Sequence, residues 1–454
     1  MGAEFASANL GDARRTRRLQ AIANSAASAP DAGFPHILRD GAELEATYRL
    51  LSNDAVDPDA MLEPHIAATL RRMGELGTAL VIHDTTYFNF GGASPRVGLG
   101  SNNGKGQGFA AHIALAVVPG EDRLPLGVCA LERVNRLVSK GTAKKSARQI
   151  CRDPERESLR WHRNFECVEE AAPVSVVHVM DREGDSYDLL AKMVGCDARF
   201  VVRASYDRAL VGEEEPLFAF LEKQICRASR SSELSHRSHV KRKECSQRRF
   251  PERRGRQARL SVSAATVALQ RPRTANNKMK SLTLNVVRVW EAEPPPGEPP
   301  VEWTLYTSEP IGTKQQLLRV VDIYRARWMI EEYFKALKTG CSLERRQLES
   351  YDALSRALAL FVPIAWRLLL ARGIARAQPD SAASTVLTRT ELTVLQHRQG
   401  LDAPPQTAED ALNAVASLGG HLKRNGPPGW MTIGRGMEML YLLVAGWKLA
   451  NGTI

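Results

Sequence analysis

Two aspartates stand at the ends of apolar runs, Asp84 in V-I-H-D-T-T and Asp181 in V-H-V-M-D-R-E. The end of a buried strand is where a sheet holds a charged group rigidly near solvent. One such acid is explained by capping of the turn that follows. Two in the same sheet of a basic chain point to a site for a hard divalent cation. Such cations take oxygen ligands, and phosphoryl chemistry with Mg²⁺ draws on two or three carboxylates. A third acid is then expected on a helix packed beside the strands.

The stretch Y-R-A-R-W-M-I-E-E-Y-F-K-A-L-K, residues 324–338, supplies a candidate. On one continuous α-helix with Tyr324 as origin, Arg327, Glu331 and Lys338 fall at about 300°, 340° and 320°. The four polar residues thus share a stripe. Ile323, Ile330, Phe334 and Leu337 fall at about 220° to 280°, a neighbouring apolar stripe that can bury against a sheet.

The elements that must position these groups are legible in outline. The first 75 or so residues read as three helices: one after an Asp12 cap with Arg14, Arg15, Arg17 and Arg18, one over E-L-E-A-T-Y-R-L-L with Tyr48 and Arg49, and one from Pro58 to Met73. The clustered arginines read either as a solvated face or as phosphate contacts. From Thr78, three apolar runs, two of them joined through P-G-E-D-R, read as antiparallel strands; helix, strand, helix, strand follow to A-R-F-V-V-R-A-S. The pattern is α/β, a mixed sheet covered by helices. A segment dense in Arg and Lys (about 236–259, including Lys241, Arg242, Lys243, Arg248, Arg249, Arg253 and Arg254) leads into period-two strands that read as a β insertion. From about Asp352 the chain is helical.

At 454 residues, two or three domains are expected. Lys and Arg outnumber Asp and Glu by 62 to 51, and the net charge of +11 favours a polyanionic partner, most simply nucleic acid. The seven cysteines contain no C-x-x-C pair, which argues against a zinc ribbon and a disulfide framework. His83 and His112 read as packed side chains rather than ligands of an oxygen-preferring metal. The start, M-G-A-E-F-A-S-A-N-L-G-D, lacks a basic region followed by an apolar core, and apolar runs such as A-L-A-L-F-V-P-I-A-W stop short of the ~20 residues of a membrane span. A soluble, cytoplasmic protein is expected.

Tyr324, Arg327, Glu331 and Lys338 match the YxxRxxxExxxxxxK signature, and the chain resembles the insertion-sequence-four family of bacterial DDE transposases. The blocks A-N-L-G-D-A-R-R-T-R-R-L, A-T-Y-R-L-L-S-N, H-D-T-T, G-F-A-A-H-I-A-L-A-V, D-R-E-G-D, W-T-L-Y-T-S-E-P and A-S-T-V-L-T agree in order. The resemblance implies a transposon-end-binding helical domain (1–75), a ribonuclease-H-like catalytic core (76–350) with a β insertion at about 206–310, and a helical dimerisation domain (351–454). It implies a triad of Asp84, Asp181 and Glu331 holding two Mg²⁺ or Mn²⁺ in each active site, with inverted-repeat ends and target DNA as substrates. Cutting would pass through a DNA hairpin. Tyr324, Arg327 and Lys338 would grip phosphates, and Trp303 would stack on a flipped base. The implied DNA contacts extend to Arg14, Arg15, Arg17, Arg18, Tyr48, Arg49, Arg182 and Lys335, with Arg182 and Glu183 orienting the site. On the residues alone, Trp303 reads equally as a core tryptophan of the β insertion. A metal-dependent nuclease without strand transfer and a domesticated DNA-binding protein are the rival readings.

Overall fold

The computed structural model describes all residues except 39, 93, 103–105, 138–148, 150–152, 154–155, 235–252, 299, 423, 425 and 453–454. Most of the basic segment, including Lys241, Arg242, Lys243, Arg248 and Arg249, lies outside the described residues. The chain forms two compact units. Unit 1 comprises residues 1–144, 157–175 and 328–454, and unit 2 comprises residues 145–156 and 176–327.

Unit 1 opens with helices whose starts are written in aspartates. Asp12, Asp40 and Asp57 cap α1 (Ala13–Ser28), α3 (Gly41–Leu51) and α4 (Pro58–Gly74), with the four-residue α2 (Phe34–Ile37) between the first two. Each cap carboxylate accepts a bond from the N–H two residues on, at 2.8, 3.0 and 2.9 Å, satisfying a donor that the first helical turn leaves orphaned. Strands β1 (Thr78–Phe90), β2 (Gln107–Val117) and β3 (Pro125–Val134) form an antiparallel meander in the order β3-β2-β1. Helix α5 (Arg160–Ala171) buries Trp161 and Phe165 against β2 and β3.

Unit 2 carries β4 (Ser175–Met180), crossover helix α6 (Tyr187–Gly195) and β5 (Arg199–Arg203), parallel to β4. After α7 (Leu217–Glu222) come the antiparallel strands β6 (Ala228–Leu234), β7 (Arg256–Gln270), β8 (Ser281–Glu291) and β9 (Glu302–Thr307), and β9 pairs with β5. The strand order within this unit is β4-β5-β9-β8-β7-β6. The six strands of unit 2, one pair parallel and the rest antiparallel, make a mixed sheet flanked by helices. Three antiparallel strands followed by a parallel pair joined through a helix is the ribonuclease-H-like arrangement.

Helix α8 (Lys314–Ala326) starts from a Thr313/Gln316 capping box and closes unit 2. The remaining helices belong to unit 1: α9 (Trp328–Lys335), α10 (Tyr351–Ala377), α11 (Arg389–Gln399), α12 (Ala408–Leu418) and α13 (Trp430–Ala450). Helices α12 and α13 cross at glycines. A Cβ on Gly419 would lie 1.9 Å from Thr432 O, and one on Gly436 2.0 Å from Val415 O. By length and apolarity α10 alone among the described residues could cross a membrane, yet 67% of its most apolar window is buried within the protein. The run of apolar letters understated this helix, because Arg356, Pro363 and Arg367 interrupt the letters without ending it.

Two expectations need correction. Asp84 is not at the end of its strand: β1 continues six residues to Phe90, because T-T-Y-F-N-F keeps the β-branched and aromatic alternation of a half-buried strand. Nor do residues 324–338 form one continuous α-helix. The α-helical bonding lapses at Arg327, whose N–H bonds Tyr324 O at 3.1 Å, and Ala336–Gly340 form a π turn. A uniform 100° step therefore does not carry from Tyr324 to Lys338.

Candidate functional site

In unit 1, Asp84 is half-buried on β1 and Glu331 is half-buried on α9, and these two elements pack together. Asp84 Oδ1 accepts from its neighbour's amide, Thr85 N, at 2.7 Å. Thr85 is fixed in turn. Its Oγ1 accepts from Arg160 Nε at 2.9 Å and meets His112 Nδ1, its cross-strand register partner, at 2.9 Å. Burial, with Arg160 and Arg163 nearby, holds His112 far below the ordinary histidine range, so its ring is neutral. The guanidinium donates to Thr85 Oγ1, which together with His112 Nδ1 closes a bonded chain from α5 across β1 to β2. His112 and His83 are fully buried, as expected of packed side chains.

Lys338 fastens the far end of the signature to the same strand. From the π turn its ammonium donates to Tyr87 O at 2.6 Å and sits 5.5 Å from the Phe88 ring centre. Burial lowers its pKa, with Glu344 pulling the other way. Glu344 Oε1 accepts from Asn89 N at 2.8 Å. Beyond Asp84, β1 is thus gripped at Tyr87 and Asn89 by the chain that follows α9.

In unit 2, Asp181 directly follows β4 and caps a 3-10 turn, Oδ1 accepting from Glu183 N at 2.8 Å. The G of D-R-E-G-D is required by space, since a Cβ on Gly184 would lie 2.8 Å from Met180 Cβ. Asp185 is a buried anchor. It pairs with Arg208 and accepts from Ser205 N at 2.6 Å and Tyr206 N at 3.0 Å. Asp188 sits in the first turn of α6, accepting from Asn277 N at 2.8 Å.

Tyr324 was expected on a polar stripe; instead it is 5% exposed, its ring tilted against Trp303 with centroids 5.6 Å apart. Trp303 is half-buried on β9, opposite Val289. Arg327 stands at the lapse between α8 and α9, and Arg182 is exposed in the turn after Asp181. Lys335 is exposed, bonded to Glu332 at 2.6 Å and lying 5.3 Å from the Trp328 ring centre.

The first helix shows what its arginines do locally. Arg14 pairs with Asp12, Arg15 donates to Leu10 O at 2.9 Å, and Arg17 reaches Ala13 O at 3.4 Å. Arg18 is half-buried on the same helix. Tyr48 packs edge-on to Phe34, and Arg49 is exposed, 3.8 Å from Glu45. At the end of the basic segment Arg256 is structural, paired with Glu291 and Glu298.

Among the described residues no group of three or more His, Cys, Asp or Glu side chains is gathered as a ready metal cluster. The described cysteines are free thiols, and burial pushes those of Cys129 and Cys341 up to about 12.

Sequence reasoning missed Arg160, the Asp185–Arg208 pair, and Arg372 and Trp430 as partners of Glu332. None announces itself by spacing, because each pairs with a residue distant in the chain.

Comparison with known families gives two matches. Residues 1–56 match the transposase DNA-binding family, and residues 166–362 match the transposase DDE domain. Asp181 and Glu331 lie within the second match; Asp84 precedes it. Among solved structures, the chain is similar to the piggyBac transposase synaptic complex with hairpin DNA, at 10% identity over 92% of this chain and 73% of that one, with a TM-score of 0.36. The chain thus carries, in tandem, a match to a transposase DNA-binding domain and a match to a transposase DDE domain.

Proposed function

We propose that the chain is a cut-and-paste transposase of the insertion-sequence-four family. It would bind inverted-repeat transposon ends, cleave them through a hairpin intermediate, and join them to target DNA as a homodimer. The observation that carries this reading is the tandem of a DNA-binding match and a DDE match in one chain, with Asp181 and Glu331 inside the second.

Residues 1–75 would hold the end, residues 76–350 would cut it, and residues 351–454 would dimerise. Asp84, Asp181 and Glu331 are the proposed acids. Their oxygen donors suit Mg²⁺ or Mn²⁺, and the packing of β1 on α9 supports pairing Asp84 with Glu331. Two such ions, when bound, supply activation of the attacking oxygen and stabilisation of the leaving one. The protein's own groups do the rest. The Thr85–His112–Arg160 bonds hold the backbone beside Asp84, and the Asp185–Arg208 pair holds the loop after Asp181. Lys338, through Tyr87 O, ties the chain after Glu331 to the strand of Asp84.

Trp303 and Tyr324 form an aromatic pair, and we assign Trp303 to the base that a tight hairpin expels and Tyr324 to the support of that ring. Stacking on such a ring contributes about 1–3 kcal/mol per base. Arg327, Lys338, Lys335 and Arg182 would meet phosphates near the cut, and Arg14, Arg15, Arg17, Arg18, Tyr48 and Arg49 would meet the end further in.

The test uses a labelled duplex carrying an inverted repeat taken from the DNA that flanks the coding region. Hairpins and joined products on a denaturing gel support the proposal. Nicks alone indicate a nuclease, and a gel shift without cutting indicates a binding protein.

A further inference from the structure

Helix α9 is eight residues long, bounded by the lapse at Arg327 and the π turn at Ala336–Gly340. A helix this short, free of α-helical bonding at both ends, is oriented by what its sides touch. On one side Tyr333 is fully buried and donates its hydroxyl to Val362 O on α10 at 3.1 Å.

Next to it, Glu332 is held by other side chains. Its Oε2 accepts from Trp430 Nε1, at the first residue of α13, at 3.1 Å and pairs with Arg372 of α10 at 2.5 Å. The Arg372 guanidinium lies over the Trp430 ring, 4.6 Å from its centre. Its Oε1 takes Lys335 at 2.6 Å.

Successive helical side chains point about 100° apart, so Glu332 can be held by α10 and α13 while Glu331 faces elsewhere. We propose that Glu332 is a positioning residue, which fixes the rotation of α9 against the C-terminal helices and thereby the placement of Glu331. This rests on the reading of Glu331 as a metal-holding acid. Outer partners of metal ligands typically cost 10–100-fold in metal affinity when removed.

Two variants of the full-length chain test it. Glu332→Gln keeps an oxygen for Trp430 but removes the charge, and Trp430→Phe keeps a ring under Arg372 but removes the N–H. Mn²⁺ binding followed by electron paramagnetic resonance without DNA, and amide hydrogen exchange of residues 328–335, are the readouts. Both variants are expected to weaken Mn²⁺ binding about 10-fold or more and to speed exchange in α9, while gel-shift affinity for the flanking duplex changes less than about twofold.

Parent-like Mn²⁺ binding and exchange in both variants would overturn the proposal. Glu331→Gln separates the two levels. If it too binds Mn²⁺ like the parent, the assignment of Glu331 itself fails; if it alone loses binding, only the role of Glu332 falls. Should Glu332→Gln not fold, Trp430→Phe, which removes a single donor, carries the test.

Discussion

Thr85→Val is the most informative single change near the proposed site. Valine keeps the β-branched shape and strand preference of threonine, so the strand loses no propensity. What it loses is the hydroxyl, which accepts from Arg160 Nε at 2.9 Å and meets His112 Nδ1 at 2.9 Å. Both groups belong to buried residues, so both are left without their bonds away from water. An orphaned buried polar group costs about 1–3 kcal/mol, and more when charged. Two of them put the loss at about 2–6 kcal/mol. Each kcal/mol moves the midpoint by roughly 2–4 °C in a domain of 150–250 residues, so a drop on the order of 10 °C is expected by scanning calorimetry. Thr85→Ser is the control: it keeps the hydroxyl and loses one methyl, about 0.8 kcal/mol. A Val variant melting at or above the Ser variant would refute the claim that this hydroxyl knits β1, β2 and α5 beside Asp84.

Other outcomes follow from the same geometry. Asp185→Asn leaves the buried Arg208 without its counter-ion and should cost about 3–5 kcal/mol in urea unfolding, whereas the half-buried Asp188→Asn should cost less. His65 and His112 are both buried with pKa values held below the ordinary one, in each case chiefly by burial. The unfolded chain therefore binds protons that the folded chain refuses. Stability is full above about pH 6.5 and falls as pH drops below it, so the urea midpoint should be lower at pH 5.5 than at pH 8; equal midpoints would contradict the burial of neutral rings. Replacing Arg14 and Arg18 by alanine should lower the log–log salt slope of end binding by about 1 for each phosphate no longer neutralised, and an unchanged slope would leave α1 out of the interface.

Local rules carried much of the fold. Asp12 announced the first helix because an N-cap is a short-range interaction, and P-G-E-D-R announced the β2–β3 turn for the same reason. The acids were legible as candidates because apolar runs precede them. What failed depended on longer geometry. The end of β1 was misplaced because the polar letters after Asp84 are half of an alternating strand, not a turn. The helical wheel around Tyr324 assumed uniform winding, whereas the chain changes its hydrogen bonding at Arg327 and again at Ala336, and Tyr324 turns inward onto Trp303. The supports of the site were invisible, since Arg160 with Thr85, Asp185 with Arg208 and Glu332 with Trp430 are each pairs separated by tens of residues.

The proposed function has Asp84, Asp181 and Glu331 serving one metal site. Loading the full-length chain and its flanking duplex with Fe²⁺, then adding ascorbate and peroxide, cuts the protein backbone wherever the metal sits. Cuts near residues 84, 181 and 331 together, all lost in Glu331→Gln, are the expected result. Cuts that miss any of the three stretches, or that persist in Glu331→Gln, would contradict it.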